Sequence, residues 1–304
     1  MRVGVIVPVR APAPYLTEAL GSVLAQDRAP DAVVVVDDGS DPPLRLGDEH
    51  AARVRLVRLG SAAGPAAARE AGLAELEDTD LVALADADDV WAPGKLAAQL
   101  AALDAYPSAA VCFGRAVVVD GSGRETGERL PEVAAGLQPG DELRERLFAS
   151  NVVPAASAVV RRDALVAVGG FDGGPALPAA SDWELWLRLA AAGHAFVCEP
   201  LALVRYRRHA DALTSDVARL GEAGLAIHAA HAGLVDADAA RWAQAQDLET
   251  IARGRVRQRR YAEARAALQE AAALRPPGVR ERLLRVLLGV PGVRSLLGRR
   301  NPYR

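Results

Sequence analysis

The first half of the chain alternates short β-branched runs with alanine-rich stretches whose apolar residues recur at helical spacing. The runs at 2–8, 32–37, 53–58, 80–85 and 110–119 are brief and valine-rich, which predicts strands. Between them, 16–26, 64–77 and 93–104 predict helices, with Pro65 and Pro93 where a first helical turn tolerates proline. A βαβαβαβ order implies an α/β fold with a mostly parallel sheet flanked by helices.

At Gly121-Ser122-Gly123 the alternation breaks into a turn, and 120–150 reads as a loop region with a short helix after Pro139. A strand near 155–160, a helix at 182–192 and two short strands within 194–207 follow. The expected domains are 1–215, the α/β domain, and 216–304, a helical C-terminal appendage. In the latter, Tyr261, Ala264, Leu268, Ala271 and Pro276 match the spacing of a single tetratricopeptide-like helical pair. A lone pair cannot bury its own face, so it is expected to pack on the first domain, with docking of a partner as the alternative.

Composition narrows the class. Hydrophobic residues make up 51% of the 304, and charged residues 25%, enough apolar material for a buried core. The formal charge of −3 argues against a nucleic-acid partner, which calls for a net basic footprint. Cys112 and Cys198 have no CxxC neighbour, so neither a zinc knuckle nor a disulfide framework is indicated and a reducing, cytoplasmic setting is expected. Val3-Gly4-Val5-Ile6-Val7-Pro8 lacks the charged and long apolar regions of a signal peptide, and no apolar run approaches the roughly 20 residues that cross a bilayer.

The sharpest chemical signal is Asp86-Ala87-Asp88-Asp89, directly after a buried strand. Clustered carboxylates repel one another, and a divalent cation with a taste for hard oxygen ligands, Mg²⁺ or Mn²⁺, relieves that repulsion. If the strand continues, its alternation puts Asp86 and Asp88 on one side. The competing reading is an Asp-rich turn that caps the next helix. A second signal is Val33-Val34-Val35-Val36-Asp37-Asp38-Gly39-Ser40, an apolar strand ending in acids, a glycine and a hydroxyl. Ligands of open α/β sheets bind beyond the carboxyl ends of strands, so both acid clusters and the Val7-Pro8-Val9-Arg10 turn should line one crevice. Alternatively Asp37 and Asp38 only build a turn.

Taken in order, Val5-Ile6-Val7-Pro8-Val9, Val35-Val36-Asp37-Asp38-Gly39-Ser40, Ala68-Arg69-Glu70-Ala71-Gly72 and Asp86-Ala87-Asp88-Asp89 resemble the family 2 glycosyltransferases of GT-A fold, over about 1–215. The resemblance implies that Pro8, Val9 and Asp38 border a nucleoside, that Arg69 lies near the base or diphosphate, and that Asp86 and Asp88 form a DxD element binding Mn²⁺ or Mg²⁺. The implied donor is a nucleoside-diphosphate sugar, a UDP-sugar foremost. Ser181-Asp182-Trp183-Glu184-Leu185-Trp186-Leu187-Arg188 resembles the family's later Glu-Asp-x-x-Leu-x-x-Arg segment, which makes Asp182 the catalytic base of an inverting transfer to a hydroxyl of a saccharide or lipid-linked acceptor. The competing reading is that Asp182 caps a helix beginning at Trp183. Val204-Arg205-Tyr206-Arg207-Arg208-His209 resembles the family's closing strand, making His209 a third metal-ligand candidate beside the reading of an exposed loop histidine. His194, His228 and His231 read as ordinary surface or helix positions. Departures are Ser181 for glutamate, Arg10 for the tyrosine before asparagine, and Glu70 for asparagine.

Other classes fit less well. Pro8-Val9-Arg10-Ala11-Pro12 replaces the GxGxxG of dinucleotide-dependent oxidoreductases, and no glycine-rich phosphate loop of a nucleotidyltransferase follows the first strand. A non-catalytic adaptor that binds a partner through its helical region is the alternative from outside enzymology. In the tail, Arg280, Arg282, Arg285, Arg294, Arg299 and Arg300 interleave with Leu283, Leu284, Leu287, Leu288, Leu296 and Leu297. That mixture could dock peripherally on anionic lipid at the inner membrane face, but interleaved charges describe any surface helix, and the reading to be preferred is a packed helix with solvated arginines.

Overall fold

The computed structural model describes residues 1–171, 177 and 179–289, leaving aside the side chains of 280, 281 and 289. Arg294, Arg299, Arg300, Leu296 and Leu297 therefore lie outside the described residues. The chain forms two compact units, Met1–Arg207 and Arg208–Arg304.

The first unit runs β1 (Val3–Val9), α1 (Leu16–Leu24), β2 (Ala32–Asp37), α2 (Asp48–Ala51), β3 (Arg55–Arg58), α3 (Pro65–Ala74), β4 (Leu81–Leu84), β5 (Val90–Trp91), α4 (Lys95–Ala105) and β6 (Ala109–Val119). It continues with β7 (Glu125–Leu130), β8 (Gly136–Gln138), α5 (Gly140–Ala149), β9 (Val159–Arg161), α6 (Arg162–Ala167), α7 (Ser181–Ala191) and β10 (Ala195–Arg207). The sheet order is β3-β2-β1-β4-β9-β6-β10-β5, with β7 also on β6 and β8 also on β10. Helices flank this central sheet, the expected α/β architecture.

The first four strands of that order pair in parallel, as the βαβ alternation requires. β9 then runs antiparallel to both β4 and β6, and parallel pairing resumes only between β6 and β10. Val33, Val34, Val35 and Val36 are all buried because this part of the sheet is covered on both faces. On one face Val5, Val7, Val33 and Val35 pack with Leu20 and Val23 of α1 and Leu96 and Leu103 of α4. On the other, α3 lies close because Gly72 has no side chain. A Cβ there would come within 2.6 Å of Ile6.

Two sequence expectations are corrected, and one short strand was not foreseen. The segment 120–150 contains β7, whose Glu-Thr-Gly-Glu-Arg-Leu run is almost wholly exposed and so carries no alternation to read, and β8, which is only three residues long. The span 194–207 is one strand rather than two; it shifts register around Glu199 and Ala202, where Pro200 has no N–H for the ladder. β5 is two residues long and below any periodicity signal.

Lys95, unremarked in the sequence, is fully buried at the start of α4. Its Nζ donates to Gln99 Oε1 at 2.7 Å and sits 3.9 Å from the Trp91 ring centre. Burial lowers its pKa from 10.5 to about 7. Between those values the unfolded chain binds the extra proton, so stability rises with pH from about 7, at up to about 1.4 kcal/mol per pH unit. Burial raises neighbouring Cys112 from 9.0 to about 12. Above pH 9 the folded chain therefore holds a proton that the unfolded chain releases, which opposes the Lys95 gain. Urea midpoints taken by tryptophan fluorescence should climb between pH 7 and 9 and level off beyond. Lys95→Met should remove the climb; an unchanged pH profile in that variant refutes the assignment.

The second unit comprises α8 (Val217–Ala230), α9 (Ala237–Arg257), α10 (Tyr261–Leu274) and α11 (Val279–Gly289). Asp216 caps α8 through the Ala218 and Arg219 amides, and Asp236 caps α9 through Ala239. α8 and α9 approach backbone to backbone, since a Cβ at Gly254 would overlap Ala218. His228 is helical but buried, hydrogen-bonded through Nδ1 to Asp247 Oδ2 at 2.5 Å, so it is no surface residue. Burial raises the Asp247 carboxyl, against the pull of His228. Ala264, Leu268 and Ala271 of α10 are buried, the first two in a cluster with Ala252 and Val256 of α9. Among the described residues no helix is long and apolar enough to cross a membrane.

Candidate active site

The carboxyl ends of β1, β2 and β4 meet along one edge because the strands pair in register, Val9 opposite Asp37 and Ile6 opposite Leu84. Asp38 N donates to Val9 O at 2.8 Å, which sets Pro8 and Val9 against Asp38. Asp37 closes the turn. Its Oδ1 accepts from Ser40 N at 3.0 Å and its Oδ2 from Leu44 N at 3.1 Å. Burial opposes its charge, but these bonds and nearby Arg58 hold the carboxyl below its usual range.

Asp38 is buried, and its oxygens accept from Ala63 N at 2.6 Å and Gly64 N at 2.9 Å, fixing the loop before α3. Each oxygen keeps a second lone pair for a ligand donor. Gly39 makes this approach possible. It has φ of 62°, and a Cβ there would overlap the Ser61 backbone.

Held by the Gly72 contact, α3 directs Arg69 across β1 toward the first acid. Arg69 Nη2 bonds Asp86 Oδ1 at 2.8 Å, while its buried Nε has no hydrogen-bond partner. β4 ends at Leu84, and Asp86–Asp89 form a turn closed by Asp89 N to Asp86 O at 3.3 Å. Strand alternation therefore does not set the relation of Asp86 to Asp88, as the sequence reading supposed. Both are half-buried. Asp89 is fully buried, and its pKa is raised well above the carboxylate range by burial and by the charges of Asp88 and Asp86. Its Oδ2 has no hydrogen-bond partner.

Arg207, which the sequence analysis did not single out, braces this turn from the end of β10. Its backbone N donates to Asp89 Oδ1 at 2.8 Å and its Nε to Asp88 O at 2.9 Å. Its Nη2 meets Glu18 Oε2 of α1 at 2.7 Å, and the guanidinium lies 4.4 Å from the Tyr15 ring centre. Only the pairing of β10 with β5 brings residues 118 positions apart together, so no local pattern announces it.

α7 packs against α5 and α3. It begins at Ser181, two residues earlier than the capping alternative needed, so Asp182 stands inside the first turn rather than at the cap. Asp182 Oδ2 accepts from Asn151 Nδ2 at 2.9 Å, another contact invisible in sequence. Burial raises the Asp182 carboxyl above its ordinary range and the charge of Asp86 adds to the rise, while Arg69 and Asn151 oppose it. The electrostatic link ties Asp182, Arg69 and Asp86 into one neighbourhood. Arg188 grips Glu184 and donates through Nη1 to Val168 O and Gly170 O. Glu70 accepts from Phe171 N at 2.7 Å, which gives the glutamate at this position a specific partner.

Two oxygen-bearing acids on one turn, a third made hard to ionise by burial and by their charge, and an arginine with an unused buried N–H fit a divalent cation beside an anionic ligand. Among the described residues, no three His, Cys, Asp or Glu side chains converge on one point as a complete cluster. His209 lies two residues past β10, in the second unit.

Several known proteins are similar. The pre-mycofactocin glycosyltransferase of Mycobacterium tuberculosis is 33% identical over 208 residues, 67% of this chain and 42% of that one. The succinoglycan biosynthesis protein ExoW of Rhizobium meliloti is 37% identical over 111 residues, 34% of this chain and 33% of that one. This chain thus spans well under half the length of these curated relatives. In fold, the structure of Staphylococcus aureus TarS 1–349 with UDP-GlcNAc superposes with a TM-score of 0.65 at 18% identity, covering 98% of this chain and 88% of that one. The mannosyltransferase PcManGT of Pyrobaculum calidifontis, with GDP-Man and Mn²⁺, gives 0.58 at 20% identity, covering 97% and 83%. These neighbours carry the GT-A fold expected from the motifs. A model of glycosyl transferase family 2 matches residues 4–169, more than half of the chain, and the chain belongs to that family.

Proposed function

We propose that this protein transfers a sugar, with inversion, from a nucleoside-diphosphate sugar to a hydroxyl of a saccharide or lipid-linked acceptor. The carrying observation is the raised, partly exposed Asp182 carboxyl, electrostatically coupled to Arg69 and Asp86 but not part of the acid turn. A base separate from the cation-binding acids is what a single displacement requires.

Each residue then has a task. Pro8, Val9 and Asp38 border the nucleoside, Asp38 accepting from a base N–H or ribose hydroxyl. Arg69, with its unused Nε–H, faces the diphosphate. Asp86 and Asp88 hold Mn²⁺ or Mg²⁺; two carboxylates with substrate phosphates are an ordinary shell for such ions. When bound, the cation supplies Lewis-acid stabilisation of the departing diphosphate. Asp182 accepts the proton of the acceptor hydroxyl as that oxygen attacks the anomeric carbon from the face opposite the leaving group. A raised pKa makes its carboxylate a stronger base than an ordinary aspartate. Asn151 fixes the direction of that oxygen.

A UDP-sugar is the favoured donor, supported by the fold likeness to a protein solved with UDP-GlcNAc; a GDP-sugar is the competitor, supported by the likeness to one solved with GDP-Man. A melting-temperature screen of both donor classes with and without Mn²⁺ tests the reading. A donor at about 100 times its Kd stabilises by about 2.7 kcal/mol, which raises Tm by roughly 5 °C or more for a unit of this size. Absence of any Mn²⁺-dependent shift across the screen sinks the proposal.

A further inference from the structure

We propose that the outward face of α11 docks on an anionic lipid surface. Leu288 is buried in the second unit's own core, and Leu284 packs against the same cluster. That accounts for one face of the helix. Val279, Leu283 and Val286, spaced by four and three residues, form a second apolar stripe and are 83%, 57% and 64% exposed. A surface helix with one packing duty places polar residues on that outward side, so a second apolar stripe marks an interaction face. Arg282 is exposed beside the stripe and Arg285 is half-buried.

Charge identifies the occupant. Residues 279–304 contain seven arginines, 280, 282, 285, 294, 299, 300 and 304, against one acid, Glu281. Six net positive charges sit in a chain whose formal charge is −3, leaving −9 on the other 278 residues. A second copy docking through the same face would bring like patches together and set arginine against arginine. A nucleic acid would use the arginines but not the valines and leucine. An anionic bilayer uses both, since apolar side chains enter the acyl boundary while arginines reach back to the headgroups.

Flotation of the full chain with vesicles containing roughly 30% phosphatidylglycerol, against pure phosphatidylcholine, tests this. The protein should float with the anionic vesicles only, and high salt should release it. Arg282→Glu should lower the partition by roughly tenfold or more, given a factor of about five for each basic residue at the surface. The triple variant Val279→Asp, Leu283→Asp, Val286→Asp changes only exposed positions, so its circular dichroism and donor-induced melting shift should match wild type while vesicle binding is lost. Equal recovery on neutral and anionic vesicles, or undiminished flotation of the triple variant, overturns the proposal. So does a dimer in sedimentation that the triple variant dissociates, because the stripe then belongs to a second copy.

Discussion

Asp182→Asn is expected to cut turnover by about 10²–10⁴-fold while donor affinity stays near wild type. Asparagine is nearly isosteric and keeps an oxygen for the Asn151 amide to meet, but it cannot take the acceptor's proton. The pH profile gives an independent reading. Burial raises the Asp182 carboxyl, so the active, ionised form is lost on acidification at a higher pH than for an ordinary aspartate. The wild-type rate should fall along that acid limb, and the residual rate of the variant should not. Steady-state rates across pH, with donor binding by calorimetry, check both parts. Near-normal turnover in the variant, or a product that keeps the donor's anomeric configuration, shows the assignment to be wrong.

What the sequence discloses follows from where each interaction is made. Val33–Val36 ends at two acids and a glycine within eight residues, and the bonds by which Asp37 closes the turn, to Ser40 and Leu44, are local, so a linear pattern carries it. Gly39 and Gly72 stand in the motifs, but the approaches that require them, to Ser61 and to Ile6, are made across the fold. Strands escape detection when burial does not impose alternation. β7 is exposed on an edge, and β5 exists only because β10 pairs with it. The motif Val204-Arg205-Tyr206-Arg207-Arg208-His209 directs attention to His209, yet Arg207 is the residue that bonds the Asp88 carbonyl and the Asp89 carboxylate. Asn151 and Glu70 likewise gain meaning only through partners 31 and 101 positions away.

The acid turn combines repulsion with rigid support, and that combination decides what a substitution there should do. Asp86 is neutralised in part by Arg69, and Asp89 is held by the Arg207 amide with its pKa driven up by burial and by the neighbouring charges. Asp88 has its backbone carbonyl fixed by Arg207 Nε, so the turn persists whatever side chain stands at 88. Asp88→Ala should therefore leave the fold intact. The unliganded variant should melt no lower than wild type, because one of the charges acting on buried Asp89 has gone. Donor binding in Mn²⁺ should weaken by about 100-fold or more, since loss of a direct ligand exceeds the roughly 10–100-fold that loss of a supporting group costs a metal site. Excess chelator should bring wild type to the same state. The two effects have opposite signs on stability, which separates a lost ligand from a damaged fold. Melting curves of both proteins, with and without donor and Mn²⁺, supply the comparison. Full activity of wild type in excess chelator, or a variant that keeps its Mn²⁺-dependent shift, would remove the cation from the mechanism.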